Sequence, residues 1–203
     1  MNVEEIIQRL NEGHIGVIAT DTLFGLVAKA RDREAVEKVY TIKKRHTKKP
    51  CIILLARLEQ LEEFPIVLPE RFKKFLAKIW PGPVTVILRL AEGEAREYHH
   101  LHRGTGEMTF RLPDNMYLQD IIKQVGPIIA PSANPEGKPP ARTIDEIKNY
   151  FGEHVDIYLD DHDHPLENEP STIIKIKEHK IYLIREGVVP FSKLEDIWIS
   201  SLL

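Results

Sequence analysis

The sequence predicts an α/β protein built on a mixed sheet, and three observations carry that prediction. Segments with apolar residues at helical spacing are interleaved with short apolar runs along the whole chain, the pattern of helices alternating with strands. The runs at 15–19, 51–56 and 127–130 are apolar almost throughout, as strands buried on both faces are. Near the end, two strand-like segments flank Glu178-His179-Lys180 as a hairpin, so at least one strand pairing is antiparallel.

Each element follows from local chemistry. Asn2 is placed to cap a first helix, Glu5 completes a capping box, and Val3, Ile6, Ile7 and Leu10 form the apolar stripe that Gly13 ends. The strand at 15–19 delivers Thr20-Asp21-Thr22, followed by Gly25, to its C-terminal end, the edge where ligands gather in open α/β sheets. Asp32 caps a second helix with Ala35, Val36, Val39, Tyr40 and Ile42 on its core face. Residues 51–56 read as a strand, 58–64 and 69–80 as helices, and Pro81-Gly82-Pro83 stops the second of these before a strand at 84–90. The polar stretch 91–107 reads as an irregular loop with His99, His100 and His102 at the surface. Arg111 sits in a strand at 108–112, and Asp114 caps a helix running to about residue 125. The strand at 127–130 opens into a stiff, proline-rich loop, 131–140. Thr143 with Glu146 forms a capping box for a helix ending at Phe151, a strand follows at 155–159, and 160–170 is an acidic loop before the hairpin strands 171–177 and 181–185. Without an internal repeat, low-complexity tract or linker, residues 1–203 read as one domain.

Composition excludes several functions. No apolar run approaches the roughly 20 residues a membrane span needs, and Met1-Asn2-Val3-Glu4-Glu5 lacks the basic start of a signal peptide. The single cysteine, Cys51, rules out an intrachain disulfide framework and a cysteine zinc cluster, and a reducing cytoplasm is the expected compartment. A net charge of −3 argues against a dedicated nucleic-acid binder, although a local basic patch remains compatible with RNA contact.

That patch is the segment Lys43-Lys44-Arg45-His46-Thr47-Lys48-Lys49-Pro50, with five cationic side chains in eight positions. It lies at a helix C-terminus, where cations are favoured by the macrodipole even without a ligand. There is no GxxxxGK[ST] and no GxGxxG after a strand, so any nucleotide has to be held by side chains, for which this run offers the best phosphate contacts. Ser132 and Asn134, two apart beyond a buried strand, fit either a polar ligand or turn chemistry. Thr20-Asp21-Thr22 fits a turn leaving a strand equally well. Arg111, between Phe110 and Leu112, either faces solvent or binds an anion across the sheet. The cluster Asp160-Asp161-His162-Asp163-His164 lacks regular metal-ligand spacing, Cys51 reads as inert core, and no nucleophile–base set stands out.

Taken together, the motifs resemble those of the Sua5/YciO/YrdC family of threonylcarbamoyl-AMP synthases. The matching stretches, in family order from about residue 15 to 188, are Ala19-Thr-Asp-Thr-Leu-Phe-Gly-Leu26, Ile42-Lys-Lys-Arg45 with Lys49-Pro50, Trp80-Pro-Gly-Pro-Val-Thr85, Phe110-Arg-Leu-Pro113, Ala130-Pro-Ser-Ala-Asn134, Pro170-Ser-Thr172 and Arg185-Glu-Gly187. The specific signal is the KxR of Lys43 and Arg45 joined to the SxN of Ser132 and Asn134. The resemblance implies a twisted mixed sheet flanked by helices, with a concave basic cavity, in the short single-domain form. It implies ATP, L-threonine and bicarbonate as substrates, Mg²⁺ accompanying ATP, and a transferase complex that passes the product to adenosine 37 of tRNA. By the same resemblance, Arg45, Lys49, Asn134 and Arg185 are ATP contacts. Thr22, Arg111, Ser132 and Ser171 are threonine contacts, and Lys43 joins Arg45, Ser132 and Asn134 in the catalytic set. Ala19, Phe24 and Glu186 depart from the family's usual proline, tyrosine and proline. The alternative readings are an RNA-binding module of the same fold without synthase activity, and a carbamoyl-transfer relative from hydrogenase maturation, which the chain length disfavours.

Overall fold

A computed structural model describes residues 1–66, 68–91, 93, 96–160 and 169–201. Its elements are α1 (Val3–Asn11), β1 (Gly16–Ala19), β2 (Phe24–Lys29), α2 (Arg33–Lys43), β3 (Ile52–Leu54), α3 (Glu70–Ile79), β4 (Val84–Arg89), α4 (His99–His102), β5 (Glu107–Arg111), α5 (Met116–Val125), β6 (Ile128–Ile129), α6 (Ile144–Phe151), β7 (Ile157–Leu159), β8 (Thr172–Lys177), β9 (Lys180–Arg185) and α7 (Phe191–Ser200). The strands form one sheet in the order β7-β1-β2-β6-β3-β5-β4-β8-β9. Pairs β1/β7, β3/β5 and β4/β8 are parallel, and the other five are antiparallel, so the sheet is mixed as predicted.

Several local expectations hold. The Asn2–Glu5 capping box is complete, and Asp32 caps α2 through Ala35 N–H at 3.0 Å. Others need correction. The sequence reading passed over β2, which returns antiparallel beside β1 and turns Thr20-Asp21-Thr22 into a hairpin turn. It also passed over α7. The cap of α5 is Asn115, whose side chain accepts from Leu118 N–H at 2.8 Å; Asp114 instead donates its backbone N–H to Asp21. Thr143 caps α6, but Glu146 reaches the Arg142 N–H rather than that of Thr143, so the box is half formed. Residues Leu58–Glu63 are a 3-10 helix rather than an α-helix. The polar stretch 91–107 contains α4, and His100 and His102 are buried rather than exposed. His100 Nε2 pairs with the Ala30 carbonyl at 2.9 Å, and burial lowers its pKa. Of the Asp160–His164 cluster, positions 161–164 lie outside the described residues.

Side chains alternate across the sheet, and this alternation creates the site. One face, including Val17, Ile53, Val86, Phe110 and Ile174, packs with α2, α3 and α7 into the larger core. On the other face, α1 and α5 cover Ile18, Val27, Leu54, Ile128 and Ile157 with Ile6, Leu10, Leu118, Ile121 and Ile122. That second cover reaches only as far as β3. The same face of β3, β5, β4 and β8 beyond it becomes the floor of a cavity.

Candidate active site

The cavity has a volume of about 450 Å³. Its floor follows the strand register. Leu54 lies beside Arg111, and Ile52 beside Thr109, which lies beside Ile87. Its walls come from the β1–β2 turn, the segment after α2, the segment after β6 and the residues around Ser171 and Arg185.

Of the two settings open to Arg111 in the sequence, the structure excludes the solvent-facing one. Arg111 points into the cavity while only 4% exposed. Its Nη2 pairs with Asp21 at 2.5 Å, Nη1 donates to Thr22 Oγ1 at 2.6 Å, and Nε donates to the Gly82 carbonyl at 3.2 Å. Asp21 is itself held by the Asp114 N–H at 3.0 Å. Burial lowers the Arg111 pKa, and Asp21 works against that shift. Thr20 Oγ1 bonds the Leu23 carbonyl at 2.7 Å and closes the turn, so turn chemistry and site construction coincide there.

The SxN segment extends the sheet beside β2. Gly25 bridges Ser132, and the Ala133 N–H donates to the Phe24 carbonyl at 2.8 Å. A Cβ at Gly25 would meet the Ala130 Cβ at 3.1 Å, so the absent side chain permits this close approach. Ser132 lines the cavity, and its hydroxyl donates to Asn134 Oδ1 at 2.7 Å. Asn134 faces its own loop, donating to the carbonyls of Pro135 and Lys138. Lys43 is only 2% exposed and reaches the same loop, donating to Ser132 O and Asn134 O at 2.6 Å and to Asn134 Oδ1 at 3.3 Å. Neither Lys43 nor Asn134 lines the cavity. Together they fix the segment that presents Ser132.

Arg45, Lys49 and Arg185 do line the cavity. Arg45 donates to the carbonyls of Lys49 and Pro50 at 3.1 and 2.7 Å, which folds the basic segment into a turn. Lys49 pairs with Glu136 at 3.1 Å, and Glu136 also accepts the His46 N–H at 2.5 Å. The Arg185 guanidinium donates to the Ser171 carbonyl at 2.7 Å. Partial burial and then the nearby Arg111 charge lower its pKa. Among the described residues, Arg45 and Arg185 are the cavity cations without a salt bridge, although the Glu136 carboxylate also feels the Arg45 charge. Glu186 does not compensate Arg185, because its carboxylate accepts the Phe191 N–H at 2.9 Å, at the start of α7.

Sequence reading missed Thr109, Ile87 and Ile184 in the lining, as well as Glu136. Thr109 was accessible from Arg111 by the two-residue period of a strand. Glu136 had no such signal, since its role depends on a contact with Lys49, 87 positions away. No Asp, Glu, His or Cys lines the cavity among the described residues.

The site is thus the uncovered face of a mixed α/β sheet, lined by the guanidinium groups of Arg45, Arg111 and Arg185, in a sequence without a glycine-rich phosphate loop. The Sua5/YciO/YrdC family profile, described as telomere recombination, matches residues 8–187, and the chain belongs to that family. A relative from Methanocaldococcus jannaschii is 35% identical over 95% of this chain and 88% of its own length. The structure of Pyrococcus abyssi Sua5 complexed with L-threonine superposes with a TM-score of 0.85 at 28% identity. This chain spans 56% of that longer protein, which in turn covers 96% of this one. Escherichia coli YciO shares the fold, with a TM-score of 0.81 at 21% identity over 95% of this chain and 92% of that one.

Proposed function

We propose that this protein is a cytoplasmic threonylcarbamoyl-AMP synthase, a nucleotidyltransferase that joins L-threonine, bicarbonate and ATP into L-threonylcarbamoyladenylate and releases pyrophosphate. The division of charge within the cavity carries the reading. At one end, Thr22 and Ser171 offer two hydroxyls for an amino acid beside Arg111, whose fork would meet a carboxylate once it leaves Asp21. Arg45 and Arg185, neither in a salt bridge among the described residues, supply positive charge for a polyphosphate, with Lys49 available once it leaves Glu136. A family relative crystallised with L-threonine supports the amino-acid assignment.

The proposed chemistry fits this residue set. A carbamate oxygen of carboxylated threonine attacks the α-phosphorus of ATP, and the bond to the pyrophosphate oxygen breaks. Negative charge grows on the phosphoryl oxygens and the leaving group, so cationic side chains and orientation supply the catalysis. Among the described residues no Asp, Glu, His or Cys lines the cavity as a general base, and the reaction of a carbamate anion does not require one. The described lining residues offer no carboxylate cage either, so Mg²⁺ would enter with ATP, held by phosphates and water. Lys43 and Asn134 serve by holding Ser132 in place. The product would be consumed by a threonylcarbamoyl transferase acting on tRNA. A reading as an RNA-binding module is disfavoured, because Lys43 is buried and Lys49 is paired, which removes two cations from the basic run.

The test is pyrophosphate release by purified protein with ATP, Mg²⁺, bicarbonate and threonine. Release that requires threonine is expected. Release absent from a folded sample, or indifferent to threonine, overturns the proposal.

A further inference from the structure

Beneath the threonine end of the cavity lies Thr85, a fully buried hydroxyl-bearing residue of β4. Its Oγ1 lies 2.8 Å from Ser171 Oγ. Val86 is registered with Phe110, and continuing that register sets Thr85 beside Arg111 on one neighbouring strand. On the other neighbour, β8, Thr85 is registered with Ile173, two residues beyond Ser171. Thr85 therefore lies under both groups assigned to the amino acid, yet at 0% exposure it cannot touch a ligand.

We propose that Thr85 is a positioning residue that sets the direction of the Ser171 hydroxyl and thereby the affinity for the amino-acid substrate. This inference rests on the synthase reading above. Ser171 has no other side-chain partner among the described residues, so Thr85 alone restrains rotation of its Oγ. A serine hydroxyl has one proton and two lone pairs, and engaging one of these with Thr85 directs the remainder into the cavity. Ser171 is also a junction. Its hydroxyl is held by Thr85, whereas its backbone carbonyl holds Arg185 at 2.7 Å. Loss of the Thr85 hydroxyl should release the first contact and leave the second, separating amino-acid affinity from nucleotide affinity.

The experiment is steady-state pyrophosphate release by wild type, Thr85→Val, Thr85→Ser and Ser171→Ala, together with the double variant Thr85→Val/Ser171→Ala. Valine keeps the shape of threonine and removes one hydrogen bond, so KM for threonine should rise about 3- to 10-fold. KM for ATP should stay within about twofold, and Thr85→Ser should restore the wild-type value. In the Ser171→Ala background, Thr85→Val should add nothing further, the signature of action through Ser171. An unchanged threonine KM in Thr85→Val, or equal rises in both KM values, overturns the inference. So does an additive effect in the double variant, and that comparison stands even where Thr85→Val lowers thermal stability. A wild-type protein without threonine-dependent release would instead overturn the synthase reading.

Discussion

Lys43 is an ammonium group almost without access to water, surrounded by oxygen acceptors from one loop. Burial lowers its pKa from the ordinary 10.5 to about 8, and the neighbouring Arg45 charge acts in the same direction. Between those two values the unfolded chain retains a proton that the folded chain has released. Stability contributed by this group is therefore lowest below about pH 8 and rises with pH across that window. Urea denaturation of wild type and Lys43→Met from pH 7 to 10 should show the wild type gaining relative to the variant as pH rises. A pH-independent difference would mean that Lys43 titrates as an ordinary lysine. At neutral pH the same substitution strips buried carbonyls of their partner, at a cost of about 1–3 kcal/mol, and frees the Ser132 segment.

The segment joining β9 to α7 is held by a polar clamp and a close approach. Thr172 Oγ1 accepts the N–H groups of Gly187 and Val189 at 3.0 and 3.1 Å and donates to the Val189 carbonyl at 2.6 Å. The Val188 N–H donates to the Pro170 carbonyl at 3.1 Å. A Cβ on Gly187 would collide with that same Pro170 oxygen and with the Ser171 backbone, so the two segments can approach only with glycine there. Gly187→Ala should push them apart, at a cost of about 1–3 kcal/mol in unfolding free energy. Because Arg185 is tied to the Ser171 carbonyl across this approach, the variant should also raise KM for ATP. A stable variant with normal ATP use would show that the segment adjusts without moving Arg185.

Across the molecule, one sheet face is divided between packing and chemistry. The half covered by α1 and α5 is apolar and closed, and the other half is the cavity floor. Ile121 of α5 is fully buried in the covered half, away from the cavity lining. Ile121→Ala should cost about 2–5 kcal/mol through lost burial and the void left behind. Both KM values should remain near wild type in the folded fraction. A comparable loss of substrate affinity would show that the two halves are coupled through the sheet. Among the described residues, no helix is long and apolar enough to cross a membrane.

The helices with clear periodicity and local caps, such as α1 from Asn2 and α2 from Asp32, were legible because their signals lie within a few residues. So was the final hairpin, whose turn residues Glu178 and His179 both take positive φ. By contrast, β2 follows β1 after a short turn, and its apolar run does not reveal whether it continues, turns or pairs. Burial of His100 and His102 likewise depends on what α4 packs against. The site divides in the same way. The resemblance of the motifs to one family placed Arg45, Ser132, Arg111 and Arg185 in one proposed cavity, whereas residue type alone left Ser132 and Arg111 open. Which of those charges stay available depended on the fold. Lys43 is taken up by Ser132 and Asn134, 89 and 91 positions away, Lys49 by Glu136, and Arg111 by Asp21. Arg45 and Arg185 form no salt bridge among the described residues, Glu136 acting on Arg45 only from beyond contact, and such pairing depends on long-range contact that no local pattern encodes.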